Sequence, residues 1–233
     1  MAIVCFPHSG GSADSFRPLA ACAPTGSQWW AVQYPGRGDR FLETPVARVD
    51  EIGRQVAAEV TRLAPEVGAV ALFGHSLGAL TAYETAVALT DSGLAPTYLF
   101  VSASPSPRHA GGGRVHSYDD ERLWSAVCAL GGIEPDLVDN EEFRDLMLPA
   151  LRADITANET YCPPAPIAVL NCPIRCYYSP QDRMHQEEAM HAWASATTRG
   201  ISVRARAGGH FHLFADPAEF VEDLIGSLTG VRS

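Results

Sequence analysis

Six short apolar runs, separated by amphipathic stretches, constrain this sequence more than any other feature. Segments 3–6, 29–33, 69–73, 98–101, 174–178 and 201–206 each have strand length, and several are apolar on both faces. A strand buried on two sides belongs to a parallel sheet covered by helices. The intervening stretches read as those helices. Segment 48–63 carries Val49, Ile52, Val56, Val60 and Leu63 at helical spacing, with Arg54 and Glu59 among the polar positions. Segment 77–89 is apolar nearly all round, as suits a helix packed directly behind the middle of the sheet. Near the C-terminus Asp216 caps a helix start, Pro217 suits its first turn and Glu219 completes a capping box, with Phe220, Val221, Leu224, Ile225 and Leu228 as the apolar face.

Segment 104–166 interrupts the alternation. It opens with Pro105, Pro107 and Gly111-Gly112-Gly113, then reads as two helices, one from about 119 to 130 and one starting near Glu141 with Pro149 as a bend. An insertion of that length after a strand of a compact sheet suggests a lid over a site, and Leu123, Trp124, Val127, Leu130, Phe143 and Met147 would make it apolar. With 233 residues, the expectation is one domain over 1–233 with a lid at about 104–166.

A net charge of −10 excludes a general nucleic-acid binder, which needs a basic surface. All 17 basic residues are arginine, the mark of a GC-rich bacterial coding bias. The six cysteines form no C-x-x-C pair and read as buried free thiols; no apolar run is long enough to span a bilayer, and the N-terminus lacks signal-peptide character. The expectation is a cytoplasmic protein with reduced cysteines, no membrane contact and a monomeric state.

Gly74-His75-Ser76-Leu77-Gly78 follows one apolar run and leads straight into the apolar helix at 77–89. That strand-turn-helix context is what a nucleophile elbow requires: the bend is so tight that positions two residues either side of the serine must be small. Ser76 is the candidate nucleophile. A hydroxyl needs a base, and in this type of sheet the order is serine, acid, histidine. His210, in Gly208-Gly209-His210-Phe211 after the last strand, is the candidate base, with His212 as its rival; a metal shared by the two has no further ligand nearby. Asp182, in Ser179-Pro180-Gln181-Asp182 after the preceding strand, is the candidate acid, with a helix cap as its plain alternative and Asp154 and Asp139 as outside choices. Phe6-Pro7-His8-Ser9-Gly10-Gly11 follows the first strand and resembles an oxyanion loop, which gives the backbone amides of Ser9 and Leu77 as candidate oxyanion donors. His8 reads as structural.

With these residues in place, the chain resembles the type II thioesterases that accompany polyketide synthases and nonribosomal peptide synthetases. The likeness also rests on Gln33-Tyr34-Pro35-Gly36-Arg37-Gly38-Asp39-Arg40 and Leu148-Pro149-Ala150-Leu151-Arg152-Ala153-Asp154, which are not general hydrolase features. It departs where the family usually has alanine at the place of Ser9, a glycine-rich run and a following proline around its acid, and a lead-in segment before its first strand. The resemblance implies an α/β-hydrolase fold, a mostly parallel central sheet covered by helices on both faces with a helical lid insertion. It also implies hydrolysis of acyl thioesters from the phosphopantetheine arm of an acyl or peptidyl carrier protein, through a serine acyl-enzyme, with no cofactor and no metal. Ser76, Asp182 and His210 align with that family's triad. Competing readings are a carboxylesterase or lipase, a product-releasing or acyl-transferring thioesterase, and an inactive hydrolase fold used as a binding module. Arg17, Arg37, Arg40, Arg108 and Arg114 are candidates for carrier docking, with plain solvation as the alternative.

Overall fold

The computed structural model describes residues 1–229. Six strands, β1 (Ala2–Phe6), β2 (Gln28–Ala31), β3 (Val70–His75), β4 (Tyr98–Ser102), β5 (Ile174–Tyr178) and β6 (Ile201–Ala205), form one sheet in the order β2-β1-β3-β4-β5-β6. Every pairing is parallel, from Ala2 opposite Gln28 at one edge to Tyr178 opposite Ala205 at the other. Each strand must therefore cross back through a helix, and all six strands end at the same edge. The helices are α1 (Arg17–Ala21), α2 (Val49–Val67), α3 (Leu77–Asp91), α4 (Asp120–Cys128), α5 (Pro135–Val138), α6 (Glu141–Glu159), α7 (Glu187–His191) and α8 (Pro217–Thr229).

Alternation along the central strands divides the core. Val4, Phe6, Leu72, Leu99, Val101 and Cys176 pack on α2 and α3, with Met190 and Trp193 beyond them. Ile3, Cys5, Phe73, Phe100 and Tyr177 face the other way onto Phe16, Leu19 and the α8 residues Phe220, Val221 and Leu224. Each large side chain buried this way contributes about 1.5–3 kcal/mol. Helix α3 runs behind the middle of the sheet, buried at Leu77, Leu80, Ala82, Tyr83 and Ala86, as its uniformly apolar sequence required.

Some element ends differ from expectation. Strand β2 stops at Ala31, and its backbone pairing closes with Val32 N–H donating to Cys5 O at 2.9 Å, which frees the Gln33 side chain to hold a neighbouring loop. Helix α2 continues past Leu63 through Pro65 and ends where Gly68 takes φ +76. At α8 the Asp216 side chain accepts from Glu219 N–H at 3.0 Å, but the Glu219 carboxylate turns to Arg206 at 2.9 Å instead of closing a capping box. Of the cysteines, Cys5, Cys172 and Cys176 are buried free thiols, whereas Cys22 and Cys162 are exposed. No described helix is long and apolar enough to cross a membrane.

Between β4 and β5, helices α4 and α6 build a small core of their own from Leu123, Trp124, Leu148, Leu151 and Ile155. Helix α6 runs unbroken through Pro149, and α5, absent from the sequence expectation, is joined to α4 by Trp124 Nε1–H donating to Val138 O at 2.9 Å.

Candidate active site

The bend between β3 and α3 carries Ser76 at φ 56, ψ −122, a positive φ that non-glycine residues adopt only where the surroundings force it. Its N–H donates to Ser102 O at 2.8 Å and its carbonyl accepts from Ala79 N–H at 2.9 Å, so both sides of the bend are tied. The flanking glycines are there for space. A Cβ on Gly74 would stand 2.0 Å from Gly78 O, and one on Gly78 would stand 2.0 Å from Phe6 O. The backbone thus runs against itself and against β1, and Ser76 is pushed out at the strand's carboxyl end beside the α3 N-terminus.

His210 follows β6 and Asp182 follows β5, and their loops are laced together. His210 Nδ1 donates to Asp182 Oδ2 at 2.8 Å, Asp182 Oδ1 accepts from Met184 N–H at 2.8 Å, and Gly209 N–H donates to Ser179 Oγ at 3.2 Å. Asp182 therefore serves an imidazole and does not cap the helix that follows. With Nδ1 engaged, Nε2 is the ring nitrogen left for the cavity that Ser76 and His210 both line. No hydrogen bond joins Ser76 Oγ to this ring among the described residues, as is common before substrate tightens such a site.

Histidines crowd around this point. Burial pushes His75 well below its ordinary value, and the rings of His8, His210 and His212 lie 5.9, 5.1 and 5.9 Å from it. Burial likewise lowers His8, His185 and His212 to about 4, so these rings stay neutral near neutral pH. His210 has the carboxylate partner. His212, its rival in sequence, is fully buried and shares a hydrogen bond with Ser102 Oγ at 3.1 Å, which in turn bonds His75 Nδ1 at 2.9 Å. This His75–Ser102–His212 chain had no sequence signal beyond the elbow motif itself. No group of metal-ligating side chains occurs among the described residues. His8 is packed edge-on to Phe211 at 4.8 Å, in keeping with a structural role.

The loop after β1 carries Ser9, Gly10 and Gly11 to the same cavity. Neither Ser9 N–H nor Leu77 N–H donates a hydrogen bond among the described residues, and Leu77 is the first residue of α3, where no preceding turn can accept it. The cavity, of about 380 Å³, is walled on its far side by Trp124, Val127, Leu130, Phe143, Met147 and Leu151. Leu123, expected in that wall, lies fully buried behind it. Two other expectations are corrected. Arg37 is not a docking arginine: it is 5% exposed and paired with Asp154, which removes Asp154 from the candidate acids as well. Asp139 is exposed and makes no hydrogen bond to the imidazole among the described residues.

An all-parallel sheet with a serine at the strained bend after β3 and an acid and histidine on the two later loops defines a serine hydrolase of the α/β-hydrolase fold. The chain belongs to the thioesterase family: the family's model, described as a thioesterase domain, matches residues 1–228. It is 35% identical over 231 residues to the thioesterase PikA5 of Streptomyces venezuelae, covering 99% of this chain and 82% of that protein. The solved type II thioesterase BorB from the borrelidin biosynthetic cluster shares 35% identity with a TM-score of 0.87, over 97% of this chain and 92% of that one. RedJ, a thioesterase of the prodiginine pathway in Streptomyces coelicolor, superposes with a TM-score of 0.88 at 33% identity, over 98% and 89% of the two chains.

Replacement of Gly78 by alanine is expected to destabilise the protein by about 4 kcal/mol or more, because backbone must move to admit the Cβ; an unchanged melting temperature would contradict the geometry. Asp182 gives a second test. Burial raises its carboxyl, but the His210 and Met184 donors outweigh that and hold it below its ordinary value of 3.8. A carboxyl lowered on folding contributes stability that is fully present above its unfolded value and is lost as pH falls through the folded one. Between about pH 5 and about pH 2, Asp182→Asn should therefore lose less stability than the parent in denaturant titrations, and equal losses would count against the assignment.

Proposed function

We propose that this chain is a type II thioesterase that hydrolyses acyl groups from the phosphopantetheine arm of acyl or peptidyl carrier proteins, clearing stalled or mis-primed synthases. The observation that carries the reading is the pairing of a serine forced out of a cramped bend with an imidazole held by a buried carboxylate, on one apolar cavity. Ser76 Oγ attacks the thioester carbonyl while His210 Nε2 takes its proton, and Asp182 fixes the tautomer and supports the imidazolium. The developing oxyanion is held by Ser9 N–H and Leu77 N–H, helped by the positive end of α3. His210 returns the proton to the departing pantetheine thiolate, then activates a water that releases the acid and frees Ser76.

Segment 104–166 acts as a lid within a single domain. Its apolar wall accepts the acyl chain. Carrier docking falls to exposed arginines near the cavity, with Arg114 next to the cavity residue Val115 and Arg108 close by in sequence, suited to the anionic phosphate of the arm. The likeness to BorB and PikA5 supports the synthase partner.

Against a panel of acyl carrier proteins, acyl thioesters and simple oxygen esters, hydrolysis from the carrier is expected to dominate; turnover of oxygen esters alone would favour an esterase. Ser76→Ala should lower kcat by roughly 10⁵- to 10⁶-fold and Asp182→Asn by roughly 10⁴-fold. Met147→Trp, which fills part of the chamber, should cut kcat/KM for longer acyl chains by about tenfold more than for acetyl. A uniform loss across chain lengths would remove the acyl chain from this wall.

A further inference from the structure

A buried ion pair lies outside the Ser76, His210 and Asp182 group. Arg37, from the turn after β2, and Asp154, from α6, meet as two parallel contacts, Nη1–H to Oδ2 at 2.5 Å and Nη2–H to Oδ1 at 2.8 Å. Asp154 is 1% exposed and Arg37 5%. The two stretches that set this chain apart from general hydrolases in sequence therefore converge on a single contact.

Both partners reach on to the same short loop. Asp154 Oδ2 also accepts from Gly10 N–H at 2.7 Å, and Arg37 Nη1–H also donates to Gly11 O at 3.2 Å. Gly10 sits at φ +78, and its bond to Asp154 fixes the Ser9–Gly10 peptide. The peptide before it, His8–Ser9, which carries the Ser9 N–H, is held through His8 O, which accepts from Gly11 N–H at 2.9 Å, so a grip on Gly10 and Gly11 fixes the whole turn at 8–11. A few residues on, Ala13 N–H donates to Gln33 Oε1 at 2.9 Å, and Gln33 Nε2–H donates to Arg37 O at 2.9 Å, so the turn after β2 grips the loop at both ends. From the other side α6 presses on it: a Cβ on Gly10 would stand 3.0 Å from Leu151 Cδ1, and Leu151 also lines the cavity. One turn of α6 thus forms chamber wall and loop support together.

Stability does not explain the pair. Desolvating two charges costs so much that a well-packed apolar pair of similar volume often holds a fold as well or better. What apolar side chains cannot supply is an acceptor for Gly10 N–H and a donor for Gly11 O. We propose that Arg37 and Asp154 are positioning residues that turn the Ser9 amide toward the oxyanion and make that orientation depend on α6 being seated over the chamber. The proposal rests on the reading of Ser9 as an oxyanion donor given above.

The test measures kcat and KM on a soluble acyl thioester, melting temperature, and affinity for a trifluoromethyl ketone analogue that forms a tetrahedral adduct, beside affinity for the product acid. The variants are Arg37→Met/Asp154→Leu, which removes both charges at once, and Asp154→Asn, which keeps one oxygen for Gly10 N–H. The double variant is expected to lower kcat roughly 10²- to 10³-fold, with a matching loss of ketone affinity, while KM and acid affinity move by less than about threefold. Asp154→Asn should recover about tenfold of that loss. Should the double variant fail to fold, Asp154→Asn alone decides, with a selective fall in kcat and ketone affinity of about tenfold or more expected. Folded variants whose kcat stays within about threefold of the parent, or whose ketone and acid affinities fall together, overturn the proposal. Ser76→Ala in the same assay separates the two readings: its retaining activity would defeat the serine mechanism, whereas an inactive Ser76→Ala beside a fully active Asp154→Asn defeats only this inference.

Discussion

A bend with no room for a Cβ on either flank governs the rest of this molecule. Gly74 and Gly78 let β3 turn into α3 against the carbonyl of Phe6, and the cost is a serine held at positive φ. That cost is sustained by the most heavily buried part of the fold, with β1, β3 and β4 on one side and α3 directly behind. Because all the strands are parallel, their carboxyl ends share one edge, and the loops that carry Ser9, Asp182 and His210 arrive there together. The site is thus a consequence of sheet direction before it is a matter of side-chain choice.

The local environment then sorts chemically similar groups into different roles. His8, His75, His185, His210 and His212 cluster around the elbow, yet burial keeps four of these five neutral near neutral pH and, of the five, only His210 is hydrogen-bonded to a carboxylate. Two buried aspartates are likewise divided. Asp182 receives an imidazole and a backbone N–H, whereas Asp154 receives a guanidinium and the Gly10 N–H. The first arrangement can exchange protons with substrate through the ring; the second is locked and can only hold backbone in place.

Much of this was legible in the sequence because the signals were local. The six strands, the long helices α2, α3 and α8 and the elbow all follow from periodicity and from glycine placement, and the order of serine, acid and histidine, read with the loops after the last two strands, favours Asp182 and His210 over Asp139, Asp154 and His212. What was not legible depended on distant partners. Arg37 read as a free surface arginine because Asp154, 117 residues away, gives no local sign of meeting it. Glu219 read as closing a capping box because nothing nearby marks Arg206 as a competing partner. The His75–Ser102–His212 chain joins three elements and has no spacing rule. Leu123 and Trp124 are neighbours of similar character, and only the packing of α4 on α6 decides which one faces the cavity.

The proposed function places the whole reaction on one group, the hydroxyl at position 76, made reactive toward an acyl carbon. Titration with a fluorophosphonate probe, followed by intact-mass measurement and peptide mapping, tests it most directly. A single adduct per chain is expected on the peptide carrying Ser76, with hydrolysis of carrier-bound acyl groups lost in step with labelling. Labelling at another residue, or hydrolysis that persists once Ser76 is fully modified, would contradict it.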